Sequence, residues 1–89
     1  MMMYKIEYTQ KALKEFLKLG RQTQVNIQKW IKKHLVGCED PRLFGKALTA
    51  DKKGLWRYRV GDYRLIADIQ DDKILVLILT VGHRKEIYE

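Results

Sequence analysis

Arginine is the side chain that grips a phosphate with two parallel hydrogen bonds and keeps its charge at any working pH. Four arginines fall in the second half of this chain. Arg57 and Arg59 alternate inside Leu55-Trp56-Arg57-Tyr58-Arg59-Val60. Arg64 follows in Gly61-Asp62-Tyr63-Arg64-Leu65-Ile66, and Arg84 stands in Val81-Gly82-His83-Arg84-Lys85-Glu86-Ile87-Tyr88. The first three lie inside runs that read as β-strands, and Arg84 lies just beyond one. Strand residues point alternately to opposite faces, so Arg57 and Arg59 share one face and Trp56, Tyr58 and Val60 the other. A tight turn at Gly61-Asp62 brings Arg64 close to them in register. A sheet that aims several guanidinium groups one way suits phosphate or carboxylate. The competing reading is solvated charge, with salt bridges to Asp62 and Asp68. Lys52, Lys53 and Lys85 flank these runs and are further candidates for phosphate contact. Tyr88 either stacks on a base or covers a core edge.

Other chemistries find little in the residues. The chain contains no serine, so a serine-based triad is impossible. His34 and His83 stand apart, and no Cys, His or carboxylate cluster has metal-ligand spacing. His34 lies on an apolar helical stripe and reads as a residue at the core boundary. Cys38, in Gly37-Cys38-Glu39-Asp40, has acidic neighbours that disfavour a thiolate nucleophile. As the only cysteine it excludes an intrachain disulfide, which fits a reducing cytoplasm. No glycine-rich phosphate loop with its lysine is present.

The elements that must hold the arginines follow from periodicity. Lys5-Ile6-Glu7-Tyr8 alternates in polarity and reads as a first strand. Thr9 is a plausible N-cap for a helix over about 10–19, with Leu13, Phe16, Leu17 and Gly20 at helical spacing and Gly20 as a left-handed stop. A second helix is predicted over about 23–36, with Ile27, Trp30, Ile31, His34 and Leu35 as its apolar stripe and Gly37 as its end. The outer faces of this helix pair carry Lys11, Lys14, Lys18, Lys29, Lys32 and Lys33. The stretch 37–54 reads as a loop holding a short strand near Lys46-Ala47-Leu48. Strands are predicted over 55–60, 63–70 and 73–80, with tight turns at Gly61-Asp62 and Asp71-Asp72, as an antiparallel meander. The apolar last strand should be central and covered on both faces. The fold class is therefore α+β, in the order β-α-α-β-β-β: a two-helix hairpin on one face of a small, mainly antiparallel sheet. Trp56 and Tyr58 should pack under the helices, leaving Arg57 and Arg59 on the other face.

Composition agrees with one domain spanning residues 1–89. A hydrophobic content of 46% excludes a disordered class, and the net charge of +7 favours a polyanion or an acidic protein partner. No apolar stretch of signal-peptide length opens the chain, and the apolar run Ile74 to Leu79 is too short to span a bilayer.

The chain resembles the RelE toxins of bacterial and archaeal toxin–antitoxin systems, within the RelE/ParE superfamily. The residues that carry the resemblance are Ala12-Leu13-Lys14-Glu15-Phe16-Leu17-Lys18-Leu19, Asp40-Pro41-Arg42, Gly45-Lys46-Ala47-Leu48, Gly54-Leu55-Trp56-Arg57-Tyr58-Arg59-Val60-Gly61-Asp62-Tyr63-Arg64 and Val81-Gly82-His83-Arg84-Lys85-Glu86-Ile87-Tyr88. The resemblance implies a cytoplasmic, ribosome-dependent endoribonuclease that cuts mRNA in the decoding site. It implies no metal or other cofactor: the 2′-hydroxyl attacks the neighbouring phosphate and the 5′-oxygen leaves. It also implies an acidic RelB-like antitoxin as partner, with operator DNA reached only through the antitoxin complex. By that resemblance Arg64 stabilises transition-state charge, Arg84 contacts the scissile phosphate, and Tyr88 stacks on the substrate nucleotide. Arg57 and Arg59 stand where the best-known members carry two lysines acting on the attacking and leaving oxygens. Arginine does not readily exchange a proton. His83, of a residue type that titrates near neutrality, either fills that gap or caps the strand end and aims Arg84. Two other readings remain open: a ParE-like inhibitor of DNA gyrase, and a relative that binds only antitoxin or operator.

Overall fold

The computed structural model describes residues 3–48 and 54–83. Within them the order is β1 (Lys5–Tyr8), α1 (Gln10–Leu17), α2 (Arg21–His34), β2 (Lys46–Ala47), β3 (Leu55–Val60), β4 (Tyr63–Gln70) and β5 (Leu75–His83), with a 3-10 turn at Asp71–Lys73 before β5. The predicted α+β class and element order therefore hold. The five strands form one sheet in the order β1-β5-β4-β3-β2. β1 runs parallel to β5, and every other pairing is antiparallel.

The helices begin and end for local reasons. Thr9 is extended, and its hydroxyl oxygen accepts the Ala12 N–H at 3.1 Å, satisfying a donor that the first turn leaves open. The predicted end of α1 is corrected. The helix stops at Leu17, and Gly20 is no left-handed stop. Gly20 is extended (φ −61°, ψ 155°) and is the N-cap of α2, its carbonyl accepting from the Gln24 N–H at 3.0 Å. α2 consequently starts at Arg21, two residues before the predicted Thr23. Gly37, at φ +72°, supplies the left-handed residue after α2.

Helix and sheet close on a core of Tyr4, Ala12, Phe16, Ile27, Ile31, Leu35, Tyr58, Leu65, Ala67, Ile69, Val76, Ile78 and Val81. Tyr58 is fully buried and meets Trp30 of α2 with ring centroids 5.5 Å apart. That contact identifies the helix-covered face of β3 and, by alternation, sends Arg57 and Arg59 to the other. His34 packs between Trp30 and Phe44 at 4.8 and 4.6 Å, the boundary position its stripe predicts.

The last strand differs from expectation in three ways. It runs over Leu75–His83 rather than 73–80, because Asp71–Lys73 coil into the turn and Ile74 takes a left-handed conformation (φ 52°). It is interior, between β1 and β4, fully covered on one face and partly on the other: Val76, Ile78 and Val81 are buried while Leu75, Leu77 and Leu79 are half-buried. It also carries a bulge. Ile66 pairs with Thr80 and Ala67 with Ile78, which leaves Leu79 over. No helix among the described residues is long and apolar enough to cross a membrane.

Candidate active site

The β3–β4 turn sets the geometry of the arginines. Gly61, at φ +59°, makes the reversal, and the register that follows places Arg59 directly opposite Arg64 and Arg57 opposite Ile66. Directly opposed residues project from the same face with Cβ atoms about 5 Å apart. Arg57, Arg59 and Arg64 therefore form one set on the sheet face away from the helices. Arg59 is exposed, whereas Arg57 and Arg64 are half-buried. Ile66 lies buried in the middle of this face, in register with Arg57.

Two neighbours complete the set. Gly82 of β5 pairs with Arg64, so the residue directly opposite it on that strand contributes no side chain. Lys46 of β2 pairs directly with Arg57 and is exposed. The sequence predicts a short strand at Lys46 but gives no sign that the residue joins the site. Only its cross-strand partner assigns it to this face, and register across a long loop is not written in local periodicity. Gly45 permits the pairing. At φ +79°, a Cβ there would lie 2.1 Å from the Arg57 carbonyl oxygen and 2.9 Å from the Trp56 Nε1. The Trp56 indole N–H donates to the Phe44 carbonyl, tying the same turn down.

His83 takes the opposite face. It pairs with Tyr63 across β4–β5, and the two rings meet edge-on at 5.4 Å. Strict alternation from Ile78 would have put His83 beside the arginines, and the Leu79 bulge reverses that phase. The bulge is held from α1. The Glu15 carboxylate accepts from the Thr80 hydroxyl at 2.7 Å and from the Val81 N–H at 3.0 Å. Of the remaining sequence candidates, Lys52, Lys53, Arg84, Lys85 and Tyr88 lie outside the described residues. Asp68 shares the arginine face and accepts from the Gln70 amide at 2.9 Å; Asp62 lies exposed in the turn. Burial pushes the Cys38 thiol up, away from a thiolate. Among the described residues no three His, Cys, Asp or Glu side chains gather as metal ligands would.

This arrangement can hold a phosphodiester by several bidentate, permanently charged donors, and it can stabilise charge that builds on phosphate oxygens. Residues 6–88 match the model of the ParE toxin of type II toxin–antitoxin systems. The chain is 33% identical over 92 residues to the mRNA interferase toxin RelE of Escherichia coli, covering 98% of this chain and 92% of that protein. It is 31% identical over 87 residues to the toxin RelG of Mycobacterium tuberculosis, covering 98% of each. Its fold superposes with a TM-score of 0.80, at 28% identity and 94% coverage of both chains, on a chain of the M. tuberculosis toxin–antitoxin complex RelBE2.

Proposed function

The chain belongs to the RelE-type toxins of the RelE/ParE family of type II toxin–antitoxin systems, and from that membership we propose that it is a ribosome-dependent endoribonuclease that cuts mRNA and is neutralised by an acidic antitoxin. The observation that carries the reading is the arginine face: Arg59 opposite Arg64, with Arg57 on the same side. Relatives named as mRNA interferases add weight. An antitoxin partner is supported by the likeness to a chain of a toxin–antitoxin complex and by the net charge of +7, which an acidic protein would complement.

In the proposed reaction the 2′-hydroxyl of the substrate attacks the adjacent phosphorus and the bond to the 5′-oxygen breaks. The phosphorane-like transition state carries more charge on its oxygens than the diester does. Arg64 and Arg84 hold that charge, Arg57 and Arg59 stabilise the attacking and leaving oxygens, and Tyr88 stacks on the substrate nucleotide. Lys52, Lys53 and Lys85 contact flanking phosphates. The catalysis asked of the protein is positioning and electrostatics.

The test is induction in cells, with mapping of mRNA 5′ ends beside an assay of gyrase supercoiling. Codon-periodic cuts are expected with the wild-type chain. Arg64→Ala should lower the cleavage rate on ribosomes roughly 10²–10³-fold, the usual cost of removing one donor to a developing oxyanion. It should leave ribosome binding and the far-ultraviolet circular dichroism spectrum close to wild type. The matching family model is described by a ParE toxin, which keeps one alternative in view. Intact mRNA with inhibited gyrase would establish that alternative and sink the nuclease reading.

A further inference from the structure

The arginine face needs a group that can release a proton. The 5′-oxygen leaves as an alkoxide unless it is protonated, and a guanidinium is a poor donor. Lys46 is an ammonium on this face. It is aligned with Arg57 in the sheet and held there by a turn that only a glycine at position 45 allows. The charged groups that share the face with it are Arg57 and Arg59 on β3, Arg64 and Asp68 on β4, and, at the opposite edge of the sheet on β1, Lys5 and Glu7, in register with Leu75 and Leu77 of β5. His83 is turned away toward Tyr63.

We propose that Lys46 is the general acid of the cleavage. The proposal rests on the nuclease reading above and names the residue that completes it. The 2′-oxygen forms a bond to phosphorus and loses its proton to water. The bond from phosphorus to the 5′-oxygen breaks, and the Lys46 ammonium delivers its proton to that oxygen. The products are a 2′,3′-cyclic phosphate and a 5′-hydroxyl, and the neutral amine regains its proton from solvent. Arg57, directly opposite Lys46, holds the phosphate oxygens within reach of the ammonium.

The experiment is single-turnover cleavage of mRNA on programmed ribosomes by Lys46→Ala and Lys46→Arg. A second mRNA carries sulfur in place of the scissile 5′-oxygen. A thiolate leaves without protonation, so a missing general acid costs nothing on that substrate. Both variants should fall roughly 10²–10³-fold on the natural mRNA, within the range for general acid–base catalysis. Both should recover to within a few-fold of wild type on the sulfur mRNA, with ribosome affinity unchanged throughout. Wild-type cleavage by Lys46→Arg would overturn the assignment, since arginine keeps the charge but not the transferable proton. An equal fall on both substrates would also overturn it, reducing Lys46 to phosphate binding. So would sulfur rescue in Lys52→Arg or Lys53→Arg with Lys46→Arg unaffected. If the wild-type chain cuts neither mRNA, the nuclease reading falls and takes this role with it. A fault in Lys46 alone leaves wild-type cutting intact.

Discussion

Arg57 and Arg59 can be placed together from sequence because two residues apart in a strand is a local rule. Arg64 joins them because a glycine-containing two-residue turn fixes register over a short span. His83 and Lys46 are not legible in the same way. The face of His83 depends on one extra residue, Leu79, in a strand whose partner is a separate segment of the chain. Nothing in the apolar run Ile74 to Leu79 marks where the ladder slips. Lys46 depends on pairing across a long loop. The observed register makes a prediction about His83. Its ring packs on Tyr63 on the helix-covered side, so His83→Ala should cut mRNA on ribosomes within a few-fold of wild type. It should also lose roughly 0.5–1.5 kcal/mol of stability with the aromatic pair. A fall in cleavage of a hundredfold or more, at unchanged ribosome affinity, would return His83 to the chemistry.

Strand and helix identity is legible over most of the chain, since helical stripes and alternating strands are properties of neighbouring residues. Gly20 shows the limit: a glycine between two helices serves either as the stop of the first or as the cap of the second, and only its backbone angles decide. Two devices that tie elements together are invisible in the sequence, because each joins residues distant along the chain. The first is Glu15 of α1, which holds the β5 bulge through Thr80 and Val81. Glu15→Ala strands a Val81 N–H at a half-closed site and should cost about 1–3 kcal/mol in urea unfolding. Glu15→Gln keeps an accepting oxygen and should restore most of it. Equal losses in both variants would mean that the carboxylate's charge, rather than its acceptor geometry, matters. The second device joins the loop after α2 to the turn before β5. The Asp71 carboxylate accepts from the Arg42 guanidinium at 3.0 Å and the Tyr4 hydroxyl at 2.7 Å. Those two hydrogen bonds hold the Asp71 carboxyl below its ordinary range, Arg42 contributing most. A carboxyl depressed in the folded state binds its proton more readily when unfolded. Its contribution is therefore present above the ordinary carboxylate pKa and disappears as pH falls through the folded value. The Arg42 and Asp71 side chains are 39% and 56% exposed, so screening keeps the contribution under about 1 kcal/mol. Urea midpoints should show Asp71→Asn less stable than wild type at pH 7 and indistinguishable from it near pH 2. A gap that persists in acid would assign the effect to packing.

At the scale of the whole molecule, two opposed surfaces carry most of the cations among the described residues. Lys46, Arg57, Arg59 and Arg64 occupy the sheet face away from the helices. On the other side Lys11, Lys14, Lys18, Arg21, Lys29, Lys32 and Lys33 are all exposed along α1 and α2. No acid stands between Glu15 and Glu39, and Glu15 itself is turned to the sheet. The helical layer is therefore uniformly cationic outward. The molecule is 22 Å across even in its thinnest direction, whereas charges are screened over about 8 Å at physiological salt. The two surfaces should then act independently on different steps. On the proposed nuclease reading, the helical cations would raise the potential that draws the chain to an RNA-rich particle, and the sheet cations would act on the bond that breaks. Replacing Lys29, Lys32 and Lys33 together by Gln should slow ribosome association. It should also flatten the salt dependence by about one unit of log–log slope for each phosphate no longer neutralised. Single-turnover cleavage at saturating ribosomes should not change. Combined with Arg64→Ala, the defects in association and in cleavage should multiply. A cleavage defect in the triple Lys→Gln variant at saturation would show that the helical face reaches the chemistry, and the separation of the two surfaces would not stand.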